Sequence, residues 1–154
     1  MSSWFRGPRA GAVVGAICAL TLVSAGCGGD STPELVSVAD SCKPEHQGDR
    51  VIVEGFLRLP EKLELSDAAI IEFYSLMGGD GDSVPIRLEI GDGPNQLRDL
   101  PSTYTASSLR VGVENDDRTV SIIDRVRVTA DSTAEDGTCL LTDPVIERTD
   151  NSTT

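Results

Sequence analysis

Val51-Ile52-Val53-Glu54-Gly55-Phe56-Leu57-Arg58-Leu59 is the stretch that decides the fold. Val51, Val53, Gly55, Leu57 and Leu59 alternate with Ile52, Glu54, Phe56 and Arg58, so one face is wholly apolar or small. A period of two residues is that of a half-buried β-strand, because successive side chains leave the pleat on opposite sides. Gly55 in the middle predicts a bulge or a sharp bend, as at the corners of small barrels. Pro60 has no N–H to give to a ladder and ends the strand.

The same reading continues downstream. A charged connection over residues 61–67 leads to an apolar-rich run from Ala68 to Met77. That run could wind as a helix, but its β-branched and aromatic content favours a second strand. Gly78-Gly79-Asp80-Gly81-Asp82 turns the chain, and Val84, Ile86, Leu88 and Ile90 then alternate with Pro85, Arg87 and Glu89. Pro85 predicts an unpaired start to this third strand. Pro94 suits the first position of a short helix to Leu100, with Leu97 and Leu100 as its apolar edge. Leu109, Val111 and Val113 give a fourth strand, Asn115-Asp116-Asp117 a turn, and residues 120–130 the return. Residues 131–137 read as an acidic loop, and residues 139–147 as a last strand interrupted by Pro144.

The expected fold is mainly β: a small five- or six-stranded barrel with one short helix, with a β-sandwich as the alternative. Three strands, a short helix and two or three further strands resemble an OB-fold, the small Greek-key barrel with a helix between its third and fourth strands. The resemblance is one of pattern over residues 50–147, with residues 51–56 and 124–129 looking like the first and last strands. It implies the binding of oligonucleotides or oligosaccharides seen in many such folds, although a fold by itself assigns no function. Aromatics that could stack on bases are few: Phe56, Phe73, Tyr74 and Tyr104. Phe73 and Tyr74 leave a strand on opposite faces, so at most one of them is a platform.

Upstream lies an address. Arg6 and Arg9 precede an apolar run from Gly11 to Val23, and Ser24-Ala25-Gly26 stand before Cys27. Charged, apolar and small zones in that order make a secretory signal, and the run is shorter than the ~20 residues of a relaxed membrane span. Leu22-Val23-Ser24-Ala25-Gly26-Cys27, followed by Gly28-Gly29-Asp30-Ser31-Thr32-Pro33, resembles the lipobox of bacterial lipoproteins. The resemblance implies cleavage by signal peptidase II between Gly26 and Cys27 and a diacylglycerol on the Cys27 thiol. Ser24 departs from the family, which usually has Leu at that position. Two or more acyl chains anchor a protein stably where one binds marginally. The competing readings are a secreted protein whose Cys27 pairs elsewhere and an uncleaved signal anchor.

The expected organisation is a signal peptide at 1–26, a lipidated flexible linker and extension at 27–49, the β-domain at 50–147 and a disordered tail at 148–154. The anchor places the domain on the cell membrane or the outer membrane, facing the periplasm or the exterior. Gly28 lacks the Asp that often retains such proteins at the inner membrane. Of the four cysteines, Cys18 lies in the signal and Cys27 is spoken for; Cys42 and Cys139 are expected to form a disulfide, which an exported compartment permits.

The chain has 154 residues with 25 acids and 13 bases, a net −12. Arg6 and Arg9 are the only bases before Cys27 and no acid precedes it, so 11 bases would remain against 25 acids, a net −14. That charge opposes nucleic-acid phosphate, whose binding is driven by Lys and Arg. The one histidine, His46, lies in a polar turn, no Gly-x-Ser-x-Gly elbow occurs, and Lys43 and Lys62 both fall in connections. Asp80 and Asp82, Asp116 and Asp117, and Asp131, Glu135 and Asp136 are oxygen-rich turns that Ca²⁺ could use, though none follows the EF-hand order. Glu54, Glu89 and Glu114 read as surface acids rather than as a glycosidase pair. The functional expectation is a non-enzymatic binding or structural module of the cell envelope, with no cofactor, held by membrane lipid through Cys27 and meeting a protein or saccharide. A Ca²⁺-dependent adhesive module and an unidentified envelope enzyme are the alternatives.

Overall fold

In the computed structural model, which describes residues 32–63, 67–114 and 116–149, the deciding stretch is a strand. Eight strands occur among the described residues: β1 Glu34–Leu35, β2 Arg50–Arg58, β3 Ala68–Tyr74, β4 Ser83–Glu89, β5 Val111–Val113, β6 Asp116–Val120, β7 Val126–Glu135 and β8 Thr138–Arg148. In β2, Val51, Val53, Gly55 and Leu57 are buried and their alternates are not. Strands β3 and β4 obey the same period, burying Ala69, Ile71 and Phe73 and then Val84, Ile86 and Leu88.

Gly55 is where β2 changes partner. Its first half, Arg50–Gly55, pairs antiparallel with β7, and Phe56–Arg58 pairs antiparallel with β3. β3 pairs antiparallel with β4 along its whole length, β4 meets β8 in parallel at Ile86↔Leu141, and β7 and β8 form an antiparallel hairpin. The strands therefore close a ring in the order β2-β3-β4-β8-β7 and back to β2. The mainly β fold read from the sequence is the fold that forms.

The ring is filled by aliphatic side chains, with Phe73 the one aromatic among its fully buried large residues. Leu97, Leu109, Val111, Val113 and Val120, from the segment between β4 and β7, join the same cluster. Each such side chain contributes roughly 1.5–3 kcal/mol by leaving water.

Several expectations need correction. β4 is paired with β3 from its first residue, Ser83 opposite Tyr74, so Pro85 does not mark an unpaired start. No helix forms at 94–100. Asn95 adopts φ +58, and the Leu97 backbone bonds instead to Glu89 and Gly91, so this segment extends the β pattern with bridges to Ile90 and Val111. The short helical turns are 3-10, at Pro44–His46 and Ala106–Ser108. Residues 131–135 are not a loop but the end of β7, with Ser132 buried while Asp131 and Glu135 face outward to Arg50 and Arg87; only Asp136 and Gly137 turn, both at positive φ. The described part of the linker is not free either: Glu34 and Leu35 pair in parallel with Val51 and Ile52, and Val38 enters the core. Residues 148 and 149 are not part of a disordered tail, because Arg148 is in β8 and Thr149 donates from both its N–H and its hydroxyl to the Arg125 carbonyl; residues 150–154 lie outside the described residues.

Candidate functional site

Cys42 and Cys139 are joined, with Cα atoms 5.7 Å apart. The bond ties the segment before β2 to the start of β8. Around it two buried serines complete the seam: Ser132 Oγ donates to the Ser41 carbonyl at 2.7 Å, and Ser41 Oγ to the Val38 carbonyl at 2.8 Å. Each hydroxyl thus satisfies a buried carbonyl that would otherwise be left without a partner. Gly26 and Cys27 lie outside the described residues.

A polar cleft of about 1030 Å³ runs across the outer faces of β3, β4 and β8. Ile70, 46% exposed, lies in it beside the Arg87–Glu135 ion pair of 3.1 Å. Lys62 and Asp67, on the connection between β2 and β3, border it, as do Glu89 and Gln96 at one end and Asp143 and Pro144 at another. Its lining holds more carboxylates than cations and carries hydroxyls and amides, so it suits a neutral hydrogen-bonding ligand better than a polyanion. The stacking aromatics of a base-binding face are absent from it.

One builder of this cleft was legible in the sequence only as an interruption at Pro144. Asp143 (φ +48) and Pro144 together oppose Ala130, a bulge between the Thr129↔Val145 and Asp131↔Thr142 pairs. Proline is tolerated there because a bulged residue owes no N–H to the ladder. Arg50 stitches the bulge, donating to the Asp143 carbonyl at 3.1 Å and to the Asp131 carboxylate at 2.9 Å. An Asp-Pro pair inside an otherwise regular strand was the available signal.

Of the acids singled out in the sequence, Glu54, Glu89, Glu114, Asp116, Asp131 and Glu135 each meet a cationic or amide partner. Glu54 accepts from Arg127 at 2.8 Å and meets Arg125 at 3.3 Å, Glu89 accepts from Gln96 and Glu114 from Asn95. Arg118 donates to Asp116 from its side chain and its backbone and holds that carboxyl below the usual range. Among the described residues, no three His, Cys, Asp or Glu side chains gather as a metal site. His46 closes the 3-10 turn Pro44–His46, away from any serine elbow.

The Lys43 ammonium, 2.7 Å away, holds the Asp40 carboxyl below its ordinary 3.8, with the Ser37 hydroxyl as a second donor. A lowered folded-state value means that this contact stabilises the turn above the unfolded pKa and is lost as the pH falls through the folded one. A carbon-detected NMR titration should place the Asp40 midpoint below 3.8, and Lys43→Met should return it toward that value. An unchanged midpoint in the variant would show that the two groups do not meet in solution.

Among known proteins, no family model matches the chain and no curated protein matches it. Among solved structures, the chain is similar to one assigned as an aspartyl-tRNA synthetase from Leishmania major Friedlin, at 13% identity and a TM-score of 0.45. The match covers 82% of this chain and 22% of that one. A likeness of that degree bears on neither activity nor partner.

Proposed function

We propose that this chain is an exported lipoprotein, held in an envelope membrane through a diacylglycerol on Cys27, with its β-domain acting as a non-enzymatic binding or structural module. The observation that carries this reading is the order of Arg6 and Arg9, the apolar run 11–23, and Ser24-Ala25-Gly26 directly before Cys27. The Cys42–Cys139 bond supports export, since disulfides persist in oxidising compartments. The ring is read as an OB-type barrel, its first strand pairing with the second and fourth and its third running parallel to the fifth. On that reading the polar cleft over β3 and β4 lies where such folds take oligosaccharides, and the partner is a saccharide or a polar protein segment.

Intact mass of the protein from its native membrane fraction tests the anchor. The expected mass begins at Cys27 and carries acyl chains, and Cys27→Ser should lose the acyl mass and leave the membrane fraction. A mass that begins elsewhere and has no lipid would sink the lipoprotein reading.

A further inference from the structure

An apolar groove of about 380 Å³ lies apart from the polar cleft, at the far end of β2. Phe56 and Tyr74, an outward-facing cross-strand pair, meet Met77, Ala106, Ile122 and Ile123 there. Met77 and Ile123 are 61% and 68% exposed, an unusual outlay of apolar surface in a chain so rich in acids. A groove of this size lies within the range of small-ligand sites, and a methionine lip adapts readily to an irregular guest.

The rim adds a charge. Seven arginines among the described residues meet carboxylates: Arg50, Arg87, Arg98, Arg118, Arg125, Arg127 and Arg148. Arg58 and Arg110 make no such ion pair among the described residues, although acids outnumber bases 25 to 13, and of the two only Arg58 borders this groove. Its guanidinium lies over the Tyr74 ring, 5.9 Å from the centroid, and donates from Nη1 to the Gly78 carbonyl at 3.3 Å. A Cβ on Gly79 would fall 2.0 Å from Arg58 Nη1, so the Gly78-Gly79 turn leaves the space in which the guanidinium rests. A guanidinium has five N–H donors in a fork that fits a carboxylate. It is held in place here with donors to spare, beside an apolar trough.

We infer that this groove binds a diffusible aliphatic carboxylate, the chain lying against Phe56, Met77 and Ile123 and the head group taken by Arg58. The inference stands on the groove alone and does not depend on lipid at Cys27. The mature protein as purified, in phosphatidylcholine nanodiscs if it carries lipid and free in buffer if it does not, titrated calorimetrically with octanoate, octanamide and octyltrimethylammonium against the matching protein-free sample, tests it. The expected result is one octanoate per protein, with octanamide weaker by at least tenfold and no saturable binding of the cation. Arg58→Gln should weaken octanoate to the level of octanamide, and Met77→Asp should weaken both. Equal binding of octanoate and octanamide to the unaltered protein would overturn the inference without recourse to any variant. So would a response confined to discs containing phosphatidylglycerol, which would make the face a bilayer contact.

Discussion

Gly55→Ala is expected to destabilise the domain by about 3 kcal/mol or more, from overpacking that meets backbone rather than a movable side chain. A methyl group there would sit 2.1 Å from the Tyr74 carbonyl oxygen and 2.9 Å from Phe73 Cε1. Phe73 is buried and cannot swing away, and the carbonyl belongs to a strand paired along its length from Ala68↔Glu89 to Tyr74↔Ser83. Relief therefore requires β2 and β3 to separate where Phe56, Leu57 and Arg58 face Tyr74, Phe73 and Glu72, the join that closes this side of the ring. Against a total stability of roughly 5–15 kcal/mol, such a loss is severe, and it should lower Tm by on the order of 10 °C. Gly137→Ala is the control: its Cβ would meet nothing within 4 Å, and only its φ of +79 resists the change. That substitution should cost about 1–2 kcal/mol. Urea melts of the two variants decide the matter, and a Gly55→Ala protein no less stable than the Gly137→Ala one would mean that the two strands do not cross so closely.

That a glycine stood in the middle of a strand was legible, and so was the face it belonged to, because burial follows a local period of two. Its reason was not, since the change of partner at Gly55 depends on pairings between residues 14 to 81 apart in the chain. The expected helix at 94–100 failed for a related reason. Pro94, Leu97 and Leu100 have helical spacing, but Gln96 Oε1 accepts from the Gly93 N–H at 2.8 Å and the Leu97 backbone is taken on both sides by neighbouring segments. Residues 131–135 read as a loop because the buried side of that strand presents Ser132 rather than a large apolar residue, and its acids find Arg50 and Arg87 only in three dimensions. The polar cleft was partly legible, through the charged connection that borders it; the apolar groove was not, since Ile122 and Ile123 lie between strands and join Phe56 only after the ring has closed. The address proposed to end at Cys27 is the converse case, a reading that rests wholly on local order.

Opening the Cys42–Cys139 bond, by replacing both cysteines with serine, is expected to lower stability by up to about 4.7 kcal/mol, the chain-entropy figure for a loop of about 100 residues. The two cysteines are 97 apart in sequence, so the bond restrains nearly the whole domain in its unfolded state. The native contacts beside it are numerous enough to outlast it. Val38 would remain buried, Glu34 and Leu35 would still pair with β2, and Ser132 Oγ would still donate to the Ser41 carbonyl. The effect should therefore appear in the global unfolding free energy, with amides such as Gly48, which donates to the Ser132 carbonyl, exchanging no faster relative to the core than before. The competing outcome is selective: if the bond is itself the tether of residues 32–49, those amides would exchange at much lower free energy while β2, β3 and β4 kept their protection. Native-state hydrogen exchange separates the two, and a loss below about 1 kcal/mol with unaltered exchange would refute both accounts, being far under the loop-closure figure. The distinction bears on the proposed anchor. A chain held at Cys27 transmits any pull into the domain through residue 32 and then β1, whose two-residue parallel ladder is short. Cys42 is the first covalent link beyond that ladder, and it passes the load directly to Cys139 at the head of the β7–β8 hairpin.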